Sequence, residues 1–441
     1  MRDIALIIFF FSILPFVFKR PYIGVYIWVW LGLMNPHRLT WGFAYYFPFA
    51  EITAITVLIS MLASKEPKQV PWTRETILLL FFILWMLITT FFAFYPDLAW
   101  VQWDKVWKIM LMTYVTMMLI NSRQKLDWLV WVVVLSLGFY GVKGGIFTIV
   151  TGGAYHVQGP PGSFIYGNNE MGLALILTVP LMRYLQLQAK SVWIHQSVVG
   201  MMLLTSIAIV GSQSRGALVG IVAMGSFLWL KSRNKIFTLV SLLVIVGLVA
   251  AIMPQQWYDR MATIETYQQD SSAMGRIYSW LTAFNLAKHR ITGGGFETFR
   301  EQVFDLYGPR DFTRTADAHS IYFEVMGEHG FIGFFMFMLL GLFIWNTGSR
   351  IRKQGKRSME TKWAADLASM VQVSIIGYAS SGAFLGLAYF DLYYTLVAIM
   401  VICSVLLKEQ ILHMQAAKVP PKPGVSLASE QPVNEFRSQN G

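Results

Sequence analysis

Arg215, Arg276 and His319 are the residues of this 441-residue chain whose types and surroundings could carry chemistry. Arg215 lies in "VGSQSRGALVGIV", between two apolar runs with almost no loop between them. An ionisable residue at such a point is costly, which makes it a functional candidate by default. It also opens a helix, where backbone N–H groups and the helix dipole favour an anion. The alternative is an interfacial arginine reaching for lipid headgroups. Arg276 belongs to a polar segment, residues 254–319, which holds six arginines, one lysine and eight acids. These arginines fit a solvated helical cap with surface ion pairs. The other reading is that one or two bind an anionic group, because the planar guanidinium fork matches phosphate. His319 opens an apolar run in "DAHSIYFEV", beside Tyr322 and Phe323. A lone histidine is often a structural hydrogen-bonder, and imidazole is also the side chain suited to moving a proton near neutral pH. His329, further along that run, would lie about 15 Å down a straight helix at about 1.5 Å per residue, too deep to share the site.

The elements that must position these residues are read from composition and periodicity. The chain is 55% hydrophobic and 13% charged, against about 25% charged in soluble domains. Apolar runs recur near 3–18, 22–37, 48–64, 76–95, 105–121, 126–150, 169–187, 194–211, 215–231, 236–253, 320–346, 363–382 and 388–407. Helices of about 20 residues cross the ~30 Å hydrocarbon core of a bilayer. A membrane β-barrel would alternate apolar and polar residues, and these runs do not. The expected fold is therefore all-α and polytopic, with twelve or thirteen transmembrane helices, the first two runs being short enough to form one broken element. Residues 1–253 form the N-terminal membrane helices, 254–319 an outer loop, 320–408 the C-terminal membrane helices, and 409–441 a Pro/Ser/Gln-rich tail expected to be disordered in the cytoplasm. The outer loop reads mostly as helix, with "SSAMGRIYSWLTAFNLAKH" at helical spacing and "TGGG" at 292–295 ending it. A long ordered loop of this kind is usually functional.

Orientation follows from charge. "SKEPKQVPWTRE", "NSRQK", "KSRNK" and "RIRKQGKR" are short and basic, which assigns them to the cytoplasmic side. They account for much of the net charge of +11, so no nucleic-acid partner is implied. The N-terminal "MRDIALIIFFFSILPFVFKR" lacks a small-residue cleavage site and reads as a retained anchor. The single cysteine, Cys403, excludes an intrachain disulfide and says nothing of redox compartment. There is no G-x-x-x-x-G-K-[ST] loop for a nucleotide. With no D-x-D, no H-E-x-x-H and no cysteine cluster, neither a metal site nor a cofactor is expected. The loop "TGGAYHVQGPPGSFIYGNNE" fits either a tight turn or, with its aromatics, Asn and Gln, a carbohydrate-contacting surface.

Taken together, Arg276, Trp280, "GGGFETF" (293–299) and "AHSIYFEVMGEHGFIG" (318–333) resemble the conserved region of the O-antigen ligase and O-antigen polymerase superfamily. "GSQSRGA" matches that family's preceding arginine position. "RPYIGVYIWVWLGLMNPHRLTWG" and "GPPGSFIYGNNE" further resemble the O-glycosylation ligases associated with exosortase systems. The resemblance covers nearly the whole chain. It implies a C-type glycosyltransferase, a multi-pass protein of the bacterial inner membrane with its active site facing the periplasm. The implied reaction takes a glycan from an undecaprenyl diphosphate carrier to an acceptor sugar of the lipid A core. It would be inverting and metal-independent, with carrier, acceptor and membrane lipids as partners. By the resemblance Arg215 and Arg276 bind the diphosphate and His319 is the catalytic base. Ser320 stands where many relatives have Asn, so no role is carried to it. The residue chemistry fits: a diphosphate leaves readily once arginine balances its charge, and the attacking hydroxyl needs a base.

Two other functions fit the family pattern, an O-antigen polymerase and a protein O-glycosylation ligase. A polysaccharide or lipid transporter is the non-enzyme alternative. It predicts inverted repeats and broken helices carrying mid-membrane charge, and neither is evident in the sequence.

Overall fold

The computed structural model describes residues 1–232, 234–262, 271–309 and 315–417, and every regular element among them is a helix. Arg310, Arg314 and the tail beyond residue 417 lie outside the described residues, as does the side chain of Arg260. In chain order the helices are α1 (Arg2–Lys19), α2 (Pro21–Met34), α3 (Phe49–Ala63), α4 (Arg74–Phe91), α5 (Pro96–Leu119), α6 (Arg123–Val150), α7 (Asn168–Gln188), α8 (Val192–Gly211), α9 (Arg215–Lys231) and α10 (Lys235–Ile252). Three shorter or amphipathic helices follow, α11 (Gln255–Ala262), α12 (Ser271–His289) and α13 (Glu301–Tyr307). The last are α14 (Ile321–Gly355), α15 (Lys362–Ser381), extended by a 3-10 turn over Gly382–Phe384, and α16 (Asp391–Ala416). The final helix thus runs on past residue 408, where the sequence reading ended it.

Each expected apolar run is a helix. Among the described residues, seven of them (α4, α6, α7, α8, α14, α15 and α16) are long and apolar enough to cross a membrane, so the chain is a polytopic membrane protein. That is fewer than the twelve or thirteen spans expected. For three of the six other helices the difference has a physical cause. α2 and α3 have 14 and 15 residues, about 21–23 Å at ~1.5 Å each, short of a ~30 Å core. α5 carries Asp97, Asp104, Lys105 and Lys108.

α7 is buried nearly from end to end and forms the middle of the bundle. α6, α8, α9 and α15 pack around it. The helices are joined by small residues and by hydroxyls that reach a neighbour's backbone, as is usual where lipid offers no hydrophobic drive to associate. Ser374 Oγ of α15 donates to Leu177 O of α7 at 2.7 Å, and Ser60 Oγ of α3 to Val17 O of α1 at 2.6 Å. The basic loops gather at one end. Lys125 pairs with Glu66 at 3.1 Å, Arg74 donates to Phe343 O at 3.1 Å, and Lys231 and Arg352 both donate to Gln372, at 2.6 and 3.4 Å. The connections that contain Arg215 and His319 lie at the helices' opposite ends.

α14 is not one straight helix. Gly330 has φ 66° and ψ −171°, which breaks the helical ladder. The carbonyls this frees are each taken up: Gly327 O accepts from Gly294 N at 2.9 Å, Glu328 O from Gly295 N at 2.8 Å, and His329 O from Trp85 Nε1 at 2.8 Å. Broken helices are tolerated at membrane depth only when such groups are satisfied within the protein. A transporter-like feature that was not evident in the sequence is therefore present, but its carbonyls are closed off by two backbone amides and the Trp85 indole rather than left for an ion. The turn that closes it must be glycine. Gly293 has φ +63°, and a Cβ there would stand 2.6 Å from both Gly327 O and Gly330 N. Gly293→Val is expected to cost at least about 1–3 kcal/mol from the left-handed backbone alone. A lowered melting temperature in detergent checks it; an unchanged one contradicts the clamp.

Candidate functional site

The "GGG" turn and the break in α14 together set the next residues. Beyond Gly295 the chain turns at Glu297, which has φ +60°. Glu297 N donates to Glu328 Oε1 at 2.8 Å, and Tyr389 Oη donates to Glu328 Oε2 at 2.6 Å. Glu328 is only 5% exposed. Its carboxyl is thus held by two donors from separate segments, which is what a buried acid requires. Burial, with the Glu328 and Glu324 carboxyls beside it, keeps the Tyr389 phenol well above its usual pKa, so it acts as a donor. One turn before Glu328, Glu324 Oε2 accepts from Ala388 N at 3.0 Å. His329 is fully buried behind this group. Its Nδ1 lies 2.6 Å from Thr89 Oγ1 and its ring packs against Phe296 and Tyr389. It does not share a surface with His319, as the sequence suggested.

His319 is placed by α12. Residues 316–318 lie along that helix, with Ser279 Oγ donating to Ala316 O at 2.7 Å and Trp280 Nε1 donating to Ala318 O at 2.8 Å. The Trp280 ring also stacks on Phe323, with centroids 5.0 Å apart and planes 9° apart. Asp317 Oδ1 accepts from Ala318 N at 2.7 Å. His319 follows with φ +42° and is half-buried. Such a conformation costs a non-glycine residue about 1–3 kcal/mol and is retained where the surroundings enforce it. Arg276 precedes Trp280 by one helical turn on the same face. Its neighbour Gly275 faces Ala316, whose Cβ a side chain at 275 would meet at 3.7 Å. Arg276 therefore borders the segment that ends in His319.

Arg215 is the first residue of α9. Ser214 caps that helix, accepting from Ala217 N at 3.1 Å. The turn before it is fixed by Gln213, φ +52°, whose Nε2 donates to Gly153 O at 2.8 Å, and by Asn168 Nδ2, which donates to Ser212 O at 2.8 Å. Next to Arg215, a side chain at Gly216 would meet Phe384 Cβ at 3.4 Å. The Phe384 ring lies 6.5 Å from that of Trp280, and a Cβ on Gly382 would press on Ile321. The 3-10 turn at 382–384 is thus the common floor under the start of α9, the Trp280 face of α12 and the start of α14. Gly216, Trp280 and Ile321, which lie close in the chain to the three sequence candidates, meet there. Two other loop arginines are engaged elsewhere. Arg290 donates to Phe92 O at 2.7 Å and lies 4.2 Å from the Phe94 ring centre; Arg300 pairs with Glu297 at 3.0 Å.

A cavity of about 930 Å³ is walled in part by residues that flank His319 in the chain, though not by His319 itself. Its wall includes Asp317 and Thr315 from the segment before His319, Glu324 and Glu328 from α14, and Gly386 and Tyr389 from the turn between α15 and α16. Phe299 and Tyr95 add aromatic faces, as does Phe164 of the Gly/Pro-rich 151–170 loop. That size and lining suit an organic ligand of several rings. The sequence reading assigned no role to Glu324, Glu328 or Tyr389. The first two sit at a spacing of four in "FEVMGEH", a visible sign of a shared helical face, but Tyr389 comes from a distant turn and left no such signal.

Residues 200–338 match the family model described as O-antigen ligase. Residues 1–190 match a family of unknown function (DUF5935). No curated protein matches the chain. The O-antigen ligase match encloses Arg215, Arg276, His319, Glu324 and Glu328.

Proposed function

We propose that the chain, whose residues 200–338 match the family model described as O-antigen ligase, transfers a glycan from undecaprenyl diphosphate to an acceptor sugar, that of the lipid A core, at the periplasmic face of a bacterial inner membrane. The observation that supports this most is that Gly216, Trp280 and Ile321, close in the chain to Arg215, Arg276 and His319, meet at the Gly382–Phe384 turn, while Asp317, two residues before His319, lines a large cavity. In this reading the arginine forks hold the carrier's diphosphate and balance its charge as it leaves. His319 takes the proton of the acceptor hydroxyl as its oxygen attacks the anomeric carbon and the carbon–oxygen bond to the diphosphate breaks. Attack opposite the leaving group inverts the anomeric centre. The arginines supply the charge that a metal would otherwise supply, so the reaction needs none. The carrier's tail stays in lipid beside α9 and α14.

The reading needs the site to face away from the cytoplasm. The basic loops at the other end of the bundle favour that orientation. Alkaline phosphatase fused near residue 285 is expected to be active, and fused near 355 inactive. The reverse pattern removes the periplasmic site.

A further inference from the structure

The cavity lined by Asp317 has a charge that the donor site does not explain. Among the described residues, six carboxyl side chains line it, from Glu297, Glu301, Asp305, Asp317, Glu324 and Glu328, and one cation, Arg300, which is paired with Glu297. The chain as a whole carries +11, so this wall opposes the protein's average field. Its position is specific. A side chain at Gly386 would meet Asp317 Oδ2 at 3.4 Å and Glu324 Oε2 at 3.5 Å, so the glycine leaves a gap flanked by two carboxyls next to the His319 segment. Glu328, deep in the wall, is fixed by Glu297 N–H and the Tyr389 hydroxyl. The remaining surface is aromatic, from Tyr95, Phe164, Phe299 and Phe390. Aromatic faces take the apolar faces of sugar rings, and carboxyl oxygens accept hydrogen bonds from hydroxyls and ammonium groups.

We infer that this cavity seats the acceptor glycan and selects uncharged or amine-bearing sugars over anionic ones. The inference rests on the transfer reading above and narrows it. A phosphorylated or uronic-acid acceptor would place its negative charge beside the exposed carboxylates of Asp317, Glu301 and Asp305, where like charges are brought together at a cost. The donor's negative charge meets arginine on the α9 and α12 side of His319, whereas the acceptor meets carboxyls on the other side. The two substrates are thereby told apart by charge, and a diphosphate carrier is kept out of the acceptor's seat.

The test is a binding measurement without donor, on the full chain in lipid nanodiscs. The probes are three trisaccharides of matched length: glucosamine trimer, its N-acetylated neutral form, and galacturonate trimer. The glucosamine and neutral trimers are expected to bind at least tenfold more tightly than the galacturonate trimer. Asp317→Asn and, separately, Glu301→Gln are expected to narrow that ratio at least threefold, chiefly by weakening the glucosamine trimer. Equal or tighter binding of the galacturonate trimer overturns the inference, as does a ratio that neither substitution changes. Because no turnover is read, loss of transfer activity with the binding order intact would sink only the ligase reading. Transfer with the opposite binding order would sink only the charge selection.

Discussion

His319→Ala is expected to reduce glycan transfer by about 10²–10⁴-fold, the range over which a positioned general base typically contributes. The substitution removes the imidazole without touching what holds the segment. Ala316 and Ala318 stay fastened to α12 through their carbonyls, and Trp280 stays stacked on Phe323. Expression, melting temperature and retention of labelled donor should therefore remain near those of the unaltered protein. Alanine tolerates φ +42° less well than histidine, so His319→Asn is the companion variant. Asparagine suits that backbone and keeps a hydrogen-bonding side chain, but it is not a base. It should be as inactive as alanine. An asparagine variant that transfers glycan at a near-native rate would make His319 a structural or phosphate-binding residue.

Arg276→Ala and Arg215→Ala are each expected to lower donor use about tenfold or more. A hydrogen bond to a charged group contributes roughly 1.5–3 kcal/mol, and about 1.4 kcal/mol is tenfold. The effect should appear in the donor's half-saturation and in donor retention, with acceptor binding unaltered. Lysine should restore only part of the loss at either position, because it offers a point charge in place of two parallel donors. The two sites differ in scaffold. Arg276 stands in a helix that is pinned to the His319 segment, and Arg215 follows a capped turn fixed by Gln213 and Asn168. Full activity in both lysine variants would end the case for fork-like recognition of the diphosphate.

Much of the fold was legible because membrane helices announce themselves by composition. Every run named from the sequence is a helix, since twenty apolar residues have few other ways to satisfy their backbone in lipid. The span count was less legible. Length and charge separate α2, α3 and α5 from the seven clear candidates, and a hydrophobic run does not report how its helix is tilted or covered. The three candidate site residues were visible as two arginines and a histidine, Arg215 and His319 at the start of apolar runs and Arg276 within the polar segment. What the sequence hid was how they are held. The glycines at 293–295 read as a helix stop, yet their work is to close the break at Gly330, some thirty-five residues away along the chain. The carboxyl wall was hidden for the same reason: it joins Asp317 and Glu324 to the 386–390 turn, a contact that no local spacing announces.

Transfer by the purified chain in proteoliposomes is the most direct measurement of the central claim. The components are an undecaprenyl-diphosphate-linked glycan of known anomeric configuration, a sugar acceptor, and an excess of chelator. The account predicts glycosylated acceptor and undecaprenyl diphosphate in equal amounts, an inverted anomeric linkage by NMR, no dependence on metal, and no product with His319→Asn. A retained anomeric configuration, or transfer that survives the loss of His319, would contradict it.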